Sequence, residues 1–243
     1  VMSKLAIITG ASRGIGRAIC QKIGEQGYIV ILIARELDEL EHTAELITKF
    51  GGKAISYTAD LADRTSVLEL VKNITTAHNQ VDLLANVAAV WHDGQKVLAD
   101  TDFEEFTTAE VLDTVEVGLM APILLCHGLI PLMPVGSRII NISGTFENGA
   151  KGWLPYYVSK KALENLTVGL AQELKDKGIL VNCLSPSDTL TESYIKFFPQ
   201  YAKEEYCVKP EDIADMVAFL VSRQADNLTG QIIEVKKPGG YRL

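Results

Sequence analysis

Basic residues are in the minority. The 243-residue chain carries 23 Lys and Arg against 31 Asp and Glu, a formal net charge of −8. Its cations are scattered, with no basic stripe, which excludes a nucleic-acid partner on electrostatic grounds. The four histidines (His42, His78, His92, His127) lack metal-ligand spacing, so no metal is expected. The four cysteines (Cys20, Cys126, Cys183, Cys207) are far apart and mostly in apolar segments. They read as reduced packing residues of a cytoplasmic protein rather than a disulfide framework. No uninterrupted apolar run reaches the ~20 residues of a membrane span. No signal peptide is expected ahead of the first strand.

What the chain does have is a tyrosine and a lysine one helical turn apart. Tyr156 and Lys160 lie in Leu154-Pro155-Tyr156-Tyr157-Val158-Ser159-Lys160. Pro155 presets a first turn, and the run from Ala162 to Ala171 is apolar enough for a core helix. At this spacing both side chains leave one face. A nearby ammonium favours phenolate, so the tyrosine pKa is expected below its usual value. Such a phenol can exchange a proton with an alcohol or ketone oxygen. Alone, the pair is equally an amphipathic rim residue and a solvated charge.

A second motif lies at the N-terminus. Lys4 to Ile8 reads as a buried strand, Thr9-Gly10-Ala11-Ser12-Arg13-Gly14-Ile15-Gly16 follows, and Arg17 to Ile23 has helical periodicity. Glycines at a strand-to-helix turn allow close backbone approach, and the free amides of the helix start attract an anion. This is the design of a dinucleotide phosphate site.

The rest of the chain alternates. Strands are expected at 4–9, 29–34, 53–58, 81–86, 137–143, 179–184 and 231–235. Helices are expected near 14–26, 36–50, 64–79, 108–132, 155–176 and 210–222. Regular alternation without a linker implies one doubly wound α/β (Rossmann) domain over 1–243, with a mostly parallel seven-stranded sheet. Segments 87–107 and 187–209 break the pattern. They follow the fourth and sixth strands, so they are expected to be substrate loops, the second a mobile lid.

These motifs, in this order, resemble the short-chain dehydrogenase/reductase family in its classical form. The likeness runs from Leu5 to about Val235. Thr9 to Gly16 matches the family's cofactor turn, Asp60-Leu61 its adenine contact, Asn86 the first residue of its NNAG motif, and Tyr156, Ser159 and Lys160 its YxxSK. Asn182-Cys183-Leu184-Ser185-Pro186 matches the segment closing over the nicotinamide. The resemblance implies cofactor contacts at Gly10, Ser12, Arg13, Gly14, Ile15, Gly16, Arg35, Asp60, Leu61, Asn86, Tyr156, Lys160, Pro186 and Thr191. It implies catalysis by Tyr156, Lys160 and Ser143. Lys151-Gly152-Trp153 is similar to the sepiapterin-reductase branch, and oxoacyl-carrier-protein reductases are an equally close relation. Trp153 could stack on a flat heterocycle or pack beneath its loop.

Charge suggests the cofactor. The second strand ends Ala34-Arg35, and Arg13 sits inside the glycine turn. Two guanidinium groups near the adenosine ribose suit a 2′-phosphate, so NADP(H) is expected over NAD(H). Glu36 would oppose this only if it turned inward.

The departures are equally specific. Gly118 stands where the family has a catalytic Asn. In Ile140-Asn141-Ile142-Ser143-Gly144, motif alignment puts Gly144 at the catalytic serine, whereas spacing back from Tyr156 favours Ser143, with Thr145 as a further candidate. NNAG has become Asn86-Val87-Ala88-Ala89, and Pro-Gly has become Pro186-Ser187. Two functions therefore stand: an NADPH-dependent reductase of a small carbonyl substrate, or an NADP(H)-binding protein with weak or no turnover. Apolar residues on more than one face of 108–132 and 155–176 imply a homodimer or homotetramer.

Overall fold

The computed structural model describes residues 3–146 and 149–238. Seven strands form one sheet in the order β3-β2-β1-β4-β5-β6-β7. They are β1 (Leu5–Thr9), β2 (Ile29–Ala34), β3 (Lys53–Thr58), β4 (Leu83–Asn86), β5 (Arg138–Ile142), β6 (Leu180–Pro186) and β7 (Ile232–Val235). All six pairings are parallel. The expected fold is therefore present, with a wholly parallel sheet.

The helices are α1 (Gly14–Glu25), α2 (Leu37–Lys49), α3 (Arg64–Ala77), α4 (Thr108–Val115), α5 (Ala121–Leu129), α6 (Leu154–Glu173), α7 (Glu192–Phe197) and α8 (Pro210–Leu220). Every residue of β1, β4 and β5 is buried because helices cover both faces of the sheet. Alternate residues of β1 enter opposite layers. Ala6 and Ile8 pack with α1, α2 and α8, whereas Leu5 and Ile7 pack with α3, α5 and the end of α6. Ile7 and Ile8 are fully buried; truncating either to Ala should cost about 2–5 kcal/mol. The edge strand β3 instead alternates exposed and half-buried positions, as a strand with one wet side does.

Local chemistry sets the helix starts. The Asp63 carboxylate accepts from the Thr65 amide at 2.8 Å and opens α3. Thr107 and Glu110 form a reciprocal capping box at α4. The expected single helix over 108–132 is interrupted. A π-helical turn, Glu116–Met120, separates α4 from α5, and Gly118 within it packs directly on α6. An added Cβ at Gly118 would lie 2.8 Å from Ser159 Oγ.

Thr108–Leu132 as a whole is long and apolar enough to cross a membrane by composition, which corrects the expectation that no segment is. In the fold, α5 lies on α3 and α4 lies on α6. Leu112 is exposed, and Leu119, Ile123 and Leu124 are half-buried.

The chain runs outward from β1 through β2 to β3, then returns to β4 beside β1. That reversal opens a crevice at the strands' C-terminal ends. The glycine turn, the segment after β4 and the lid after β6 all meet there.

Candidate active site

Two glycines explain the shape of the β1–α1 turn. Gly10 has φ +65, and a Cβ there would lie 3.1 Å from the Ala88 backbone. A Cβ on Gly16 would lie 2.0 Å from the Gly10 carbonyl oxygen. No side chain fits either place, so α1 starts hard against the strand end. The Thr9 hydroxyl accepts from the Val87 and Ala88 amides at 2.9 and 3.1 Å, fastening this turn to β4.

The first turn of α1 has no capping side chain of its own and no acidic residue. A carboxylate from far along the chain stands there instead. Glu192, at the start of α7, accepts from the Gly14 amide at 3.1 Å and from Arg17 at 2.7 Å. The helix start thus already holds an anion, as its dipole and free amides require. Glu192 was not singled out from the sequence. Its partners lie 178 and 175 residues away, and no local pattern announces such a contact.

Arg13 and Arg35 both lie close enough to His92 for their charges to act on it. Both charges help burial, the larger cause, to push His92 below its ordinary value. Arg35 is exposed. Arg13 is engaged: its Nη2 reaches both carboxylate oxygens of Glu39 at 3.0 Å. Glu36, weighed as a complication above, is exposed at the α2 N-cap and makes no side-chain cap. The carboxylate that competes for Arg13 is Glu39, one turn on.

Asp60 is exposed, with a carboxylate oxygen accepting from the Ala62 amide at 3.0 Å, while Leu61 is buried. Asn86 is buried opposite its register partner Asn141, to which it donates at 2.8 Å. Asn141 donates onward to Thr167 at 2.9 Å. The Asn86 Oδ1 has no partner among the described residues. Pro186 is buried at the end of β6, and the Ser187 hydroxyl beside it is also buried without a partner among those residues. Thr191 caps α7 by accepting from the Tyr194 amide at 3.1 Å.

Tyr156 and Lys160 are on one face of α6, as their spacing requires. Lys160 is 1 % exposed, donates to the Ile142 carbonyl at 2.7 Å, and lies 5.5 Å from the Tyr156 ring centroid. Burial pushes its pKa down to about 8, against raising contributions from Cys183 and Glu164. Tyr156 is raised above its ordinary value by burial. This corrects the expected lowering: protein atoms crowd the phenol, although its ring edge remains half-exposed to the cleft. The neighbouring pair points elsewhere. Lys161 is bound to Glu164 at 2.9 and 3.1 Å, and Tyr157 meets Phe146 edge-on at 4.9 Å.

Ser143 lines the cleft with Tyr156. Its hydroxyl donates to the buried Glu164 at 2.9 Å. A hydroxyl has one proton, so Ser143 must release Glu164 before it can donate to a substrate oxygen. Gly144 faces Tyr156 directly. A Cβ there would have the Tyr156 hydroxyl, Pro186 O and Phe146 Cε2 as its nearest neighbours, each at 4.0 Å.

The cleft above Tyr156 has a volume of about 470 Å³. Its walls come from three segments. Trp91 belongs to the loop after β4, Phe146 and Trp153 to the connection before α6, and Phe198 to the middle of the lid, directly after α7. The segment 87–107 is mostly loop, with one 3-10 turn at Phe103–Glu105, whereas 187–209 contains the helix α7. From the sequence, no helix is expected in that segment. His92 and Ser193 (3.1 Å), and Lys196 and the Gly94 carbonyl (2.8 Å), join the two segments.

Comparison with known proteins agrees with this geometry. The family model for short chain dehydrogenase matches residues 4–202. The uncharacterized oxidoreductase YmfI of Bacillus subtilis is 31% identical over 99% of both chains. The 3-oxoacyl-[acyl-carrier-protein] reductase FabG of Staphylococcus epidermidis is 30% identical over 96% of this chain and 98% of its own. Among solved structures, the angucycline C-6 ketoreductase LanV with bound NADP superposes with a TM-score of 0.85 at 31% identity, covering 95% of this chain and 93% of LanV. The chain belongs to the short-chain dehydrogenase family. It is an NAD(P)-dependent oxidoreductase.

Proposed function

We propose that this chain uses NADPH to reduce a carbonyl group on a small organic substrate to an alcohol. The observation that carries this is Tyr156 at the floor of the cleft with Lys160 fixed beside it by the Ile142 carbonyl.

The residues suit a dinucleotide. The α1 start already attracts a carboxylate, the glycine turn leaves space for backbone approach, and Arg13 and Arg35 flank the ribose side. Gly10, Ser12, Gly14, Ile15 and Gly16 would cradle the phosphates, with Asp60 and Leu61 at the adenine. Asn86, Pro186 and Thr191 would border the nicotinamide. When bound, the reduced nicotinamide supplies a hydride to the carbonyl carbon.

Tyr156 donates its proton to the carbonyl oxygen. The phenol is protonated at neutral pH, the state an acid needs, although burial raises its pKa and so weakens it as an acid. Lys160 presents its ammonium beneath the phenol and stabilises the phenolate left behind. Ser143 is the proposed hydrogen-bond partner of the substrate oxygen, once exchanged from Glu164. Tyr156→Phe should retain NADPH binding and abolish NADPH oxidation across a panel of ketones, while Tyr157→Phe keeps most of the rate. The reverse result refutes the register and every role built on it.

A second function, NADP(H) binding with little turnover, draws on specific features. Gly118 leaves no room for the family's Asn, Gly144 leaves the position facing Tyr156 without a hydroxyl, and the Ser143 proton is engaged. Tight NADPH binding with no oxidation of any ketone would favour it.

We also infer a symmetric dimer or tetramer through α4, α5 and α6. The exposed Leu112, Leu154 and Val158 lie on this face. A monomer by light scattering at micromolar concentration would count against it.

A further inference from the structure

The geometry points to a planar, fused-ring aromatic ketone as the substrate, laid flat against the wall formed by Trp153 and the lid aromatics with its carbonyl at Tyr156. This rests on the reductase function proposed above and adds the class of substrate.

Aromatic residues are scarce in the chain: 17 of 243 (2 Trp, 8 Tyr and 7 Phe). Eight of them line this single cleft, including both tryptophans. They form a continuous wall. Phe198 stacks on Trp91 with ring centroids 6.2 Å apart and an interplanar angle of 20°. The same Phe198 lies 6.2 Å from Trp153 at 32°. Trp153 and Phe146 then flank Tyr156 on two sides, each at 5.9 Å.

These rings could be the packing of the lid and nothing more. Two features argue for a ligand. Trp91, Trp153 and Phe198 are only half-buried despite their mutual contacts, so flat apolar faces remain open to the cleft. The wall also leads to the one phenol placed for proton transfer. Offset and tilted ring pairs at such distances gain stacking energy beyond area burial. An aliphatic chain would gain area alone. The volume, about 470 Å³, is in the range of small-molecule sites, and the substrate would share it with the nicotinamide, since Ile15, Pro186 and Thr191 line the same cleft.

The reaction balances as a two-electron reduction. Hydride adds to the ring carbon and the Tyr156 proton to its oxygen, the C=O π bond breaks, C–H and O–H bonds form, and NADPH becomes NADP⁺. Solvent returns the proton to Tyr156.

The chain carries its own reporter. Both of its tryptophans line the cleft, so indole fluorescence reads this site. The test titrates a fused-ring ketone and a straight-chain 3-oxoacyl thioester of equal carbon number, with free tryptophan as the control for absorption. NADPH oxidation is followed in parallel. The fused-ring ketone should quench at a concentration about tenfold lower and show the higher kcat/KM. Trp153→Leu and Phe198→Leu should each erase about two- to tenfold of that preference, with circular dichroism checking the fold. Equal or tighter binding of the aliphatic thioester overturns the substrate class, even if that thioester is turned over. Selective quenching without oxidation of either compound sustains the aromatic site and refutes the reductase function instead.

Discussion

Replacing Gly144 with Ser should make this protein a faster reductase. A Cβ at position 144 would have no heavy atom closer than 4.0 Å, and one neighbour at that distance is the Tyr156 hydroxyl. Gly144 is not among the residues with positive φ, so serine fits its backbone without strain. With a tetrahedral angle at its oxygen, the new hydroxyl comes to about 3.3 Å from that phenol, a few tenths of an ångström outside the usual hydrogen-bond range, which a small side-chain shift closes. It would also face the place where a carbonyl oxygen must sit. The native Ser143 cannot supply this contact freely, because its proton goes to Glu164 at 2.9 Å. Giving up a hydrogen bond to a charged group costs about 1.5–3 kcal/mol. Removing one preorganised donor from an oxyanion site typically costs about 2.7–4 kcal/mol. The two nearly cancel, so Ser143 contributes little net stabilisation. Gly144→Ser adds a donor with no such prior engagement. A gain in kcat of about ten- to a hundredfold is expected, equal to ~1.4–2.7 kcal/mol. NADPH affinity should be unchanged. The assay is steady-state NADPH oxidation on one ketone, run beside Ser143→Ala, for which a loss below about fivefold is expected. If Ser143→Ala costs a hundredfold and Gly144→Ser gains nothing, Ser143 is the oxygen-binding residue and the Glu164 contact is easily broken.

Arg35→Ala should weaken NADPH about tenfold and leave NADH unchanged, as loss of an exposed contact to a 2′-phosphate would; equal losses in paired titrations would contradict NADP(H) preference. Glu192→Gln removes a carboxylate from the α1 start. The Arg17–Glu192 pair is partly exposed, with side chains 25% and 56% accessible, so the effect is limited to about 1 kcal/mol, a two- to fivefold gain in NADPH affinity. Weaker binding in that variant would show that Glu192 closes the lid on the cofactor. The pKa of Lys160 is lowered to about 8, so its ammonium is present below that pH and lost above it. The rate of reduction should be level below pH 8 and fall above, and a pH-rate profile still level well beyond 8 would show that Lys160 keeps its charge.

What could be read from the sequence was local. The glycine turn is a contiguous run whose strand and helix flank it directly, and it formed where expected. Tyr156 and Lys160 needed only helical spacing. The strand positions followed because buried parallel strands are apolar runs, and all seven appeared within a few residues of their expected bounds. Three features were beyond reach for one physical reason: each depends on contacts between distant segments. At the π-turn, Gly118 meets Ser159 too closely for any side chain. Glu192 meets Gly14 across 178 residues. The Tyr156 pKa went the opposite way because local charge was visible and tertiary crowding was not. Trp153 was recognised, but its partners Trp91 and Phe198 come from two other segments.

The lid shows why those missing contacts matter together. Helix α7 is only six residues long, yet it carries Glu192 at its first position and is followed immediately by Phe198. One end holds the start of α1; the other completes the aromatic wall over Tyr156. On the proposed cofactor site, a dinucleotide phosphate would compete with Glu192 for the same amide and the same arginine. Release of Glu192 would free one end of a short element whose other end shapes the cleft, which would link cofactor arrival to the aromatic wall through α7. Tryptophan fluorescence from Trp91 and Trp153 should therefore change when NADPH binds with no ketone present, and Glu192→Gln should already display part of that change without NADPH.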